Sequence, residues 1–195
     1  MTDDAPPSRW RAADYARPIT LVCVAGPDDA ERLYRPWLRV PWLNLDLRVL
    51  PAPEGADAGE RLAADLAREV ADRPYALLAR GAAVATLLRA APRLATPRPV
   101  LGFFFLATAP PAGAELPGEP WVKAMAGADD RAAPPAAVAG WHRLTSRLSL
   151  QVFEGGGEFL TERSTEVLEC VHLDLGAIPS YLPGRGFADI TTEAT

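Results

Sequence analysis

Short apolar runs rich in β-branched residues alternate along this chain with stretches whose apolar positions recur every three or four residues. ITLVCVA, residues 19–25, is the first such run and predicts a buried strand; a second is expected over residues 45–50. From Ala58 to Ala71, Leu62, Leu66 and Val70 form one stripe, with Glu60, Arg61, Asp65, Arg68 and Glu69 off it, which predicts an amphipathic helix. YALLA (75–79) reads as a strand followed by a small-residue helix over 81–91. Further strands are expected over 100–106, 121–126 and 148–153, and helices over 135–144 and 161–173.

Strand and helix alternating through short loops imply an α/β fold, a mostly parallel sheet with helices on both faces. Residues 1–17 carry charge and proline without apolar periodicity and read as a loose arm. Residues 18–175 read as the folded domain, and 176–195, with GAIPSYLPGRG, as a turn-rich tail. In such a fold ligands bind where loops leave the carboxyl ends of the strands.

Composition narrows the function classes. The net charge is −5 with both signs interspersed, which argues against a nucleic-acid partner. No apolar run approaches the roughly 18 residues of a membrane span, and the acidic, proline-bearing start is unlike a signal peptide, so a cytoplasmic protein is expected. Two cysteines, Cys23 and Cys170, and two histidines, His142 and His172, support neither a disulfide framework nor a metal site. No cofactor motif stands out.

The strand-exit loops carry a resemblance. LVCVAGPDDAERLYRPW (Leu21 to Trp37) is similar to the opening of type II thioesterases, which edit polyketide and nonribosomal-peptide synthases. PYALLARGAAVATLL (Pro74 to Leu88) resembles their nucleophile strand and the helix after it. GADDRAAPPAAVAGW (Gly127 to Trp141) resembles their acid-bearing segment, and LQVFEGGGEFL (Leu150 to Leu160) their histidine-bearing one. The resemblance implies an α/β-hydrolase-like fold.

It also implies that the serine-hydrolase machinery is gone. The family's elbow reads Gly-His-Ser-Met-Gly; here Ala79-Arg80-Gly81-Ala82-Ala83 puts Gly81 at the nucleophile. Gly157 falls at the position of the general base, so nothing there takes a proton from a nucleophile. Asp130 matches the triad carboxylate. The oxyanion-hole turn, His-Ala-Gly-Gly in the family, is replaced by Gly26-Pro27-Asp28-Asp29, which lacks one amide donor and adds two carboxylates. Only Thr108–Pro120 stands where the family has a helical lid, so a deleted lid is expected.

Ser8, Ser146, Ser149, Ser164 and Ser180 lie outside the strand-exit loops and Cys23 lies within the first strand, so none is expected to supply substitute chemistry. His142 and His172 map to helices, where a solvent-facing or capping role is expected. Asp28, Asp29, Arg80, Asp130 and Glu158 do share the carboxyl edge of the sheet. They form either a ligand-binding cleft or a collapsed one, in which Arg80 is neutralised by Asp29 or Asp130. Loss of the lid predicts exposed apolar surface, with Phe103, Phe105 and Trp121 as a candidate partner surface joined by Trp37, Trp42 and Trp141.

The leading expectation is a non-catalytic accessory protein of polyketide or nonribosomal-peptide biosynthesis. Its partner would be a carrier protein, a synthase module or another copy of itself. A second reading is an isomerase- or cyclase-type enzyme using Asp130, Glu158 or Asp28 for proton transfer, which requires a carboxylate of raised pKa without a salt-bridge partner. A third is a small-molecule binding protein that sequesters a pathway product.

Overall fold

The computed structural model describes residues 19–26, 29–39, 45–70, 75–94 and 100–177; the expected arm, most of the expected tail, Asp28, Trp42, Ser8 and Ser180 lie outside them. Six strands form one sheet in the order β2-β1-β3-β4-β5-β6. They are β1 (Ile19–Ala25), β2 (Leu45–Pro51), β3 (Tyr75–Arg80), β4 (Val100–Leu106), β5 (Val122–Gly127) and β6 (Leu148–Phe153). Every neighbouring pair is parallel. Parallel strands need crossovers, and crossovers cover both faces of a sheet. That is why β1, β3 and β5 are almost wholly buried and read as unbroken apolar runs.

The helices divide between the two faces. α1 (Arg35–Trp37) follows a single π-helical turn, Ala30–Tyr34, a segment the sequence reading left unassigned. α2 is Ala58–Val70, α3 is Ala82–Ala90 and α4 is Pro135–Val138, followed by a 3-10 turn over Ala139–Arg143. The expected last helix is two: α5 (Phe159–Glu162) and α6 (Ser164–Ala177), which runs two residues past the expected end of the domain. Leu62, Leu66, Val84, Leu87, Val138 and Trp141 pack with Val22, Leu77 and Phe105 on one face. Leu33, Tyr34, Trp37, Phe159, Val167 and Val171 pack with Cys23, Leu78 and Phe104 on the other.

The expected exposed aromatic surface does not exist. Phe103 and Phe105 are 1% and 0% exposed and Trp121 is 9% exposed. Phe103 and Phe105 point to the α2–α3 face, where Phe105 stacks on Trp141 with ring centroids 3.9 Å apart. Trp121 meets Phe104 edge-on at 5.2 Å on the opposite face. For Phe103 and Phe105 the cause is cover from two sources. The Pro135–Arg143 segment brings Trp141 over the sheet, and Ala114 and Leu116 of the β4–β5 connection fold back onto the same core. Trp37 is buried as well. The large apolar side chains that are exposed among the described residues are Leu38, Leu150, Val152 and Leu173.

The strand order reverses direction between β1 and β3, so the loops leaving their carboxyl ends diverge at that point. This is where an open parallel sheet of this kind forms its binding crevice. Gly26 leaves β1 there, and Gly81 leaves β3.

Candidate functional site

Gly81 sits between β3 and α3 with φ +57° and ψ −133°. That backbone is open to glycine and strained for any side chain, and it is the sharp strand-to-helix turn that presents a nucleophile in hydrolases. A Cβ built on Gly81 meets nothing within 4 Å. The elbow therefore has its geometry and an open space above it, but no reacting atom. Its amide donates to Thr108 Oγ1 at 2.7 Å, and that hydroxyl donates to the Leu106 carbonyl, also at 2.7 Å. Thr108 fastens the elbow to the exit of β4. Sequence reasoning passed over it, although a hydroxyl immediately beyond a strand at the carboxyl edge was a usable signal.

Asp130 and Gly157 are brought face to face. The loop after β5 is zipped to the loop after β6 by Ala128 N to Phe153 O at 2.7 Å and Asp129 N to Gly155 O at 2.9 Å. A Cβ at Gly157 would stand 3.0 Å from Asp130 Oδ2. A residue at 157 would thus contact the carboxylate, as a base contacts its orienting acid. The fit is too close for a side chain without Asp130 giving way. Asp130 is only 7% exposed, and its Oδ1 accepts from the amides of Ala132 and Ala133 at 2.9 and 3.0 Å. This carboxylate now holds its own loop in an Asx-type turn.

Arg80 pairs with Asp29 at 3.3 Å, with 29% and 22% of their side-chain surfaces exposed. The pair joins the exit loops of β1 and β3 across the crevice. Glu158 has other partners: its carboxylate meets Arg32 of the π-helical turn at 3.3 Å and Thr161 Oγ1 at 3.2 Å. Both members of the Arg32–Glu158 pair are largely exposed, so it contributes little to stability. Of the five charged residues expected at this edge, the four that are described are therefore engaged in three separate sets of contacts. Asp29 neutralises Arg80, Asp130 is bonded to its own loop, Glu158 faces Arg32, and Asp28 is outside the described residues.

Two neighbouring groups complete the electrostatics. The Tyr34 hydroxyl is fully buried with no hydrogen-bond partner among the described residues. Burial first, then the charge environment of Cys23 and Asp29, pushes its pKa well above the ordinary phenol value. Cys23 is fully buried and burial alone raises its thiol, so it is an inert core residue. The serines and one histidine have structural partners: Ser164 accepts from Trp37 Nε1 at 2.7 Å, Ser146 donates to Glu119 at 2.6 Å, and His142 Nδ1 lies 2.7 Å from the Ala139 carbonyl. Among the described residues, no group of three or more His, Cys, Asp or Glu is placed to hold a metal ion, and no helix is long and apolar enough to cross a membrane.

No protein-family model matches the sequence, and no curated protein matches it. Solved structures do. The thioesterase RedJ of the prodiginine biosynthetic pathway in Streptomyces coelicolor superposes with a TM-score of 0.60 at 15% identity, over 90% of this chain and 96% of that one. BorB, the type II thioesterase of the borrelidin biosynthetic cluster, gives 0.65 at 15% identity, over 83% of this chain and 96% of that one. YbtT, the type II thioesterase of the yersiniabactin NRPS/PKS pathway, gives 0.64 at 12% identity over 83% and 94%. The shared architecture is the α/β-hydrolase fold. At these identities the likeness is one of fold.

Proposed function

We infer that this chain is a hydrolytically silent relative of the type II thioesterases, serving as a cytoplasmic accessory protein in polyketide or nonribosomal-peptide biosynthesis. It acts by binding a carrier domain or synthase module rather than by cleaving a thioester. The observation that carries this reading is the pairing of a preserved elbow and acid loop with glycine at both reacting positions, Gly81 and Gly157. Thioester cleavage on this fold requires a nucleophile at the elbow and a base to take its proton. Here the elbow has neither, and Asp130 Oδ2 occupies space that a side chain at 157 needs. The short, helix-free connection from β4 to β5 accords with a lost lid.

The competing reading as a proton-transfer enzyme needs an unengaged carboxylate in the crevice. Of the carboxylates named for it, Asp130 and Glu158 are each bonded to another group of the protein, as is their neighbour Asp29, which favours the accessory role; Asp28 lies outside the described residues. The biosynthetic setting is taken from the pathways named for RedJ, BorB and YbtT. A direct test is size-exclusion chromatography of the protein with holo and acyl-loaded carrier domains and with intact synthase modules from its own genomic neighbourhood. Co-elution with one of them is expected; separate elution from all of them contradicts the accessory role.

A further inference from the structure

A groove of about 320 Å³ lies on the outer flank of α3, away from the Asp29–Arg80 pair. Ala85, Leu88 and Arg89 of α3 form one wall, Pro92 closes one side, and the β4–β5 connection from Pro111 to Glu115 forms the other wall. That second wall is a built feature. Ala114 N donates to Pro111 O at 3.1 Å, and Gly113 between them has φ +71°, as position i+2 of a type II turn requires. Ala114 and Leu116 anchor the turn on the core. The groove is thus held open by a proline-bearing turn rather than by a loose loop, and its volume lies at the lower end of the roughly 300–1,000 Å³ typical of small-ligand sites.

Its chemistry is specific in one respect. The lining is apolar apart from Arg89 and Glu115, one charge of each sign. Arg89 donates to the neutral Thr86 Oγ1 at 3.3 Å, and neither Arg89 nor Glu115 is ion-paired within the described residues. An anion alone would meet Arg89 but face Glu115, and a cation the reverse. A neutral apolar guest would leave both exposed charges to water and gain nothing from either. A zwitterion satisfies both at once.

We propose that this groove binds a small zwitterion with an apolar substituent, of which an apolar α-amino acid is the simplest form. Its carboxylate meets Arg89, its ammonium meets Glu115, and its side chain lies on Leu88, Pro92 and Pro111. This site is independent of the accessory role, and failure of either leaves the other standing.

The test is calorimetric titration of the full chain with L-phenylalanine and L-leucine. N-acetyl-L-phenylalanine, which lacks the ammonium, and L-phenylalaninamide, which lacks the carboxylate, serve as comparisons. Saturable binding of the free amino acids is expected, at least tenfold weaker for both blocked forms. Arg89→Gln and Glu115→Gln are each expected to weaken it about tenfold or more, with an unchanged circular dichroism spectrum. No saturation by about 10 mM overturns the proposal. So does equal binding of the blocked forms, or binding that survives both substitutions.

Discussion

At Tyr34 a buried hydroxyl without a partner sets stability against the retention of a polar atom. An unsatisfied buried hydroxyl costs on the order of 1–3 kcal/mol, so Tyr34→Phe should raise unfolding stability by about 1 kcal/mol in a urea titration. The pH response follows from the same burial. Tyr34 and Tyr75 both have raised folded-state pKa values, Tyr75 up to about 12. The folded protein therefore holds protons that the unfolded chain releases near the ordinary phenol value of about 10. Their contribution is complete below that pH and is lost as the pH rises through the folded values. Stability should fall above about pH 10, and less steeply in Tyr34→Phe; parallel curves for the two proteins would contradict this. Gly81 gives a second residue-level test. Its backbone angles lie where side chains are strained by about 1–3 kcal/mol, so Gly81→Ser should lower stability by that amount. On the proposed reading, with glycine at position 157, this variant should also show no activity on acyl thioesters.

At the scale of elements, the strands were the most legible feature, because burial on both faces forces continuous apolar runs such as 19–25 and 100–106. The π-helical turn and α1 were not legible. Charged Asp29, Glu31, Arg32 and Arg35, with Pro36, interrupt any helical stripe, and their order comes from packing Leu33, Tyr34 and Trp37 beneath β1. The break between α5 and α6 was hidden as well, since the sequence carries an apolar repeat through Arg163, whose backbone turns out of the helix at φ −117° and ψ 31°. Nor did the sequence disclose what holds α6 to β5. Lys123, 6% exposed within that strand, meets Asp174 at 2.9 Å and donates to Ser149 at 3.3 Å. Removing one partner of a fully buried pair costs about 3–5 kcal/mol; with a quarter of Asp174 in water, Asp174→Asn should cost about 2–3 kcal/mol. Its thermal unfolding should report that loss, and an unchanged midpoint would mean that Lys123 finds another partner.

Across the whole molecule, the fold and the strand-exit loops were readable because each loop is local: Gly81, Asp130 and Gly157 each sit in a short segment of recognisable pattern. What those positions do to one another was not readable. Only the joined β5 and β6 loops show that Asp130 bonds its own backbone and lies against Gly157. The aromatic surface was misjudged for a related reason. Exposure of Phe103 and Phe105 follows from a missing lid only if nothing else covers that face, and Trp141 and Leu116 do cover it, while Trp121 belongs to the core of the other face. Trp141 also donates from Nε1 to the Thr108 carbonyl at 2.8 Å, linking this cover to the elbow. Trp141→Ala should therefore cost about 3–5 kcal/mol by denaturant titration.

The central claim, a hydrolase fold retained without hydrolysis, is tested most directly on acyl-loaded carrier proteins. They are incubated with the purified protein, its Asp130→Asn variant and a competent thioesterase, and deacylation is followed by intact-protein mass spectrometry. Acyl loss at the buffer rate for both forms, against rapid loss with the competent enzyme, is the predicted result. Release above background that Asp130→Asn abolishes would contradict the account and require a nucleophile other than the residue at position 81.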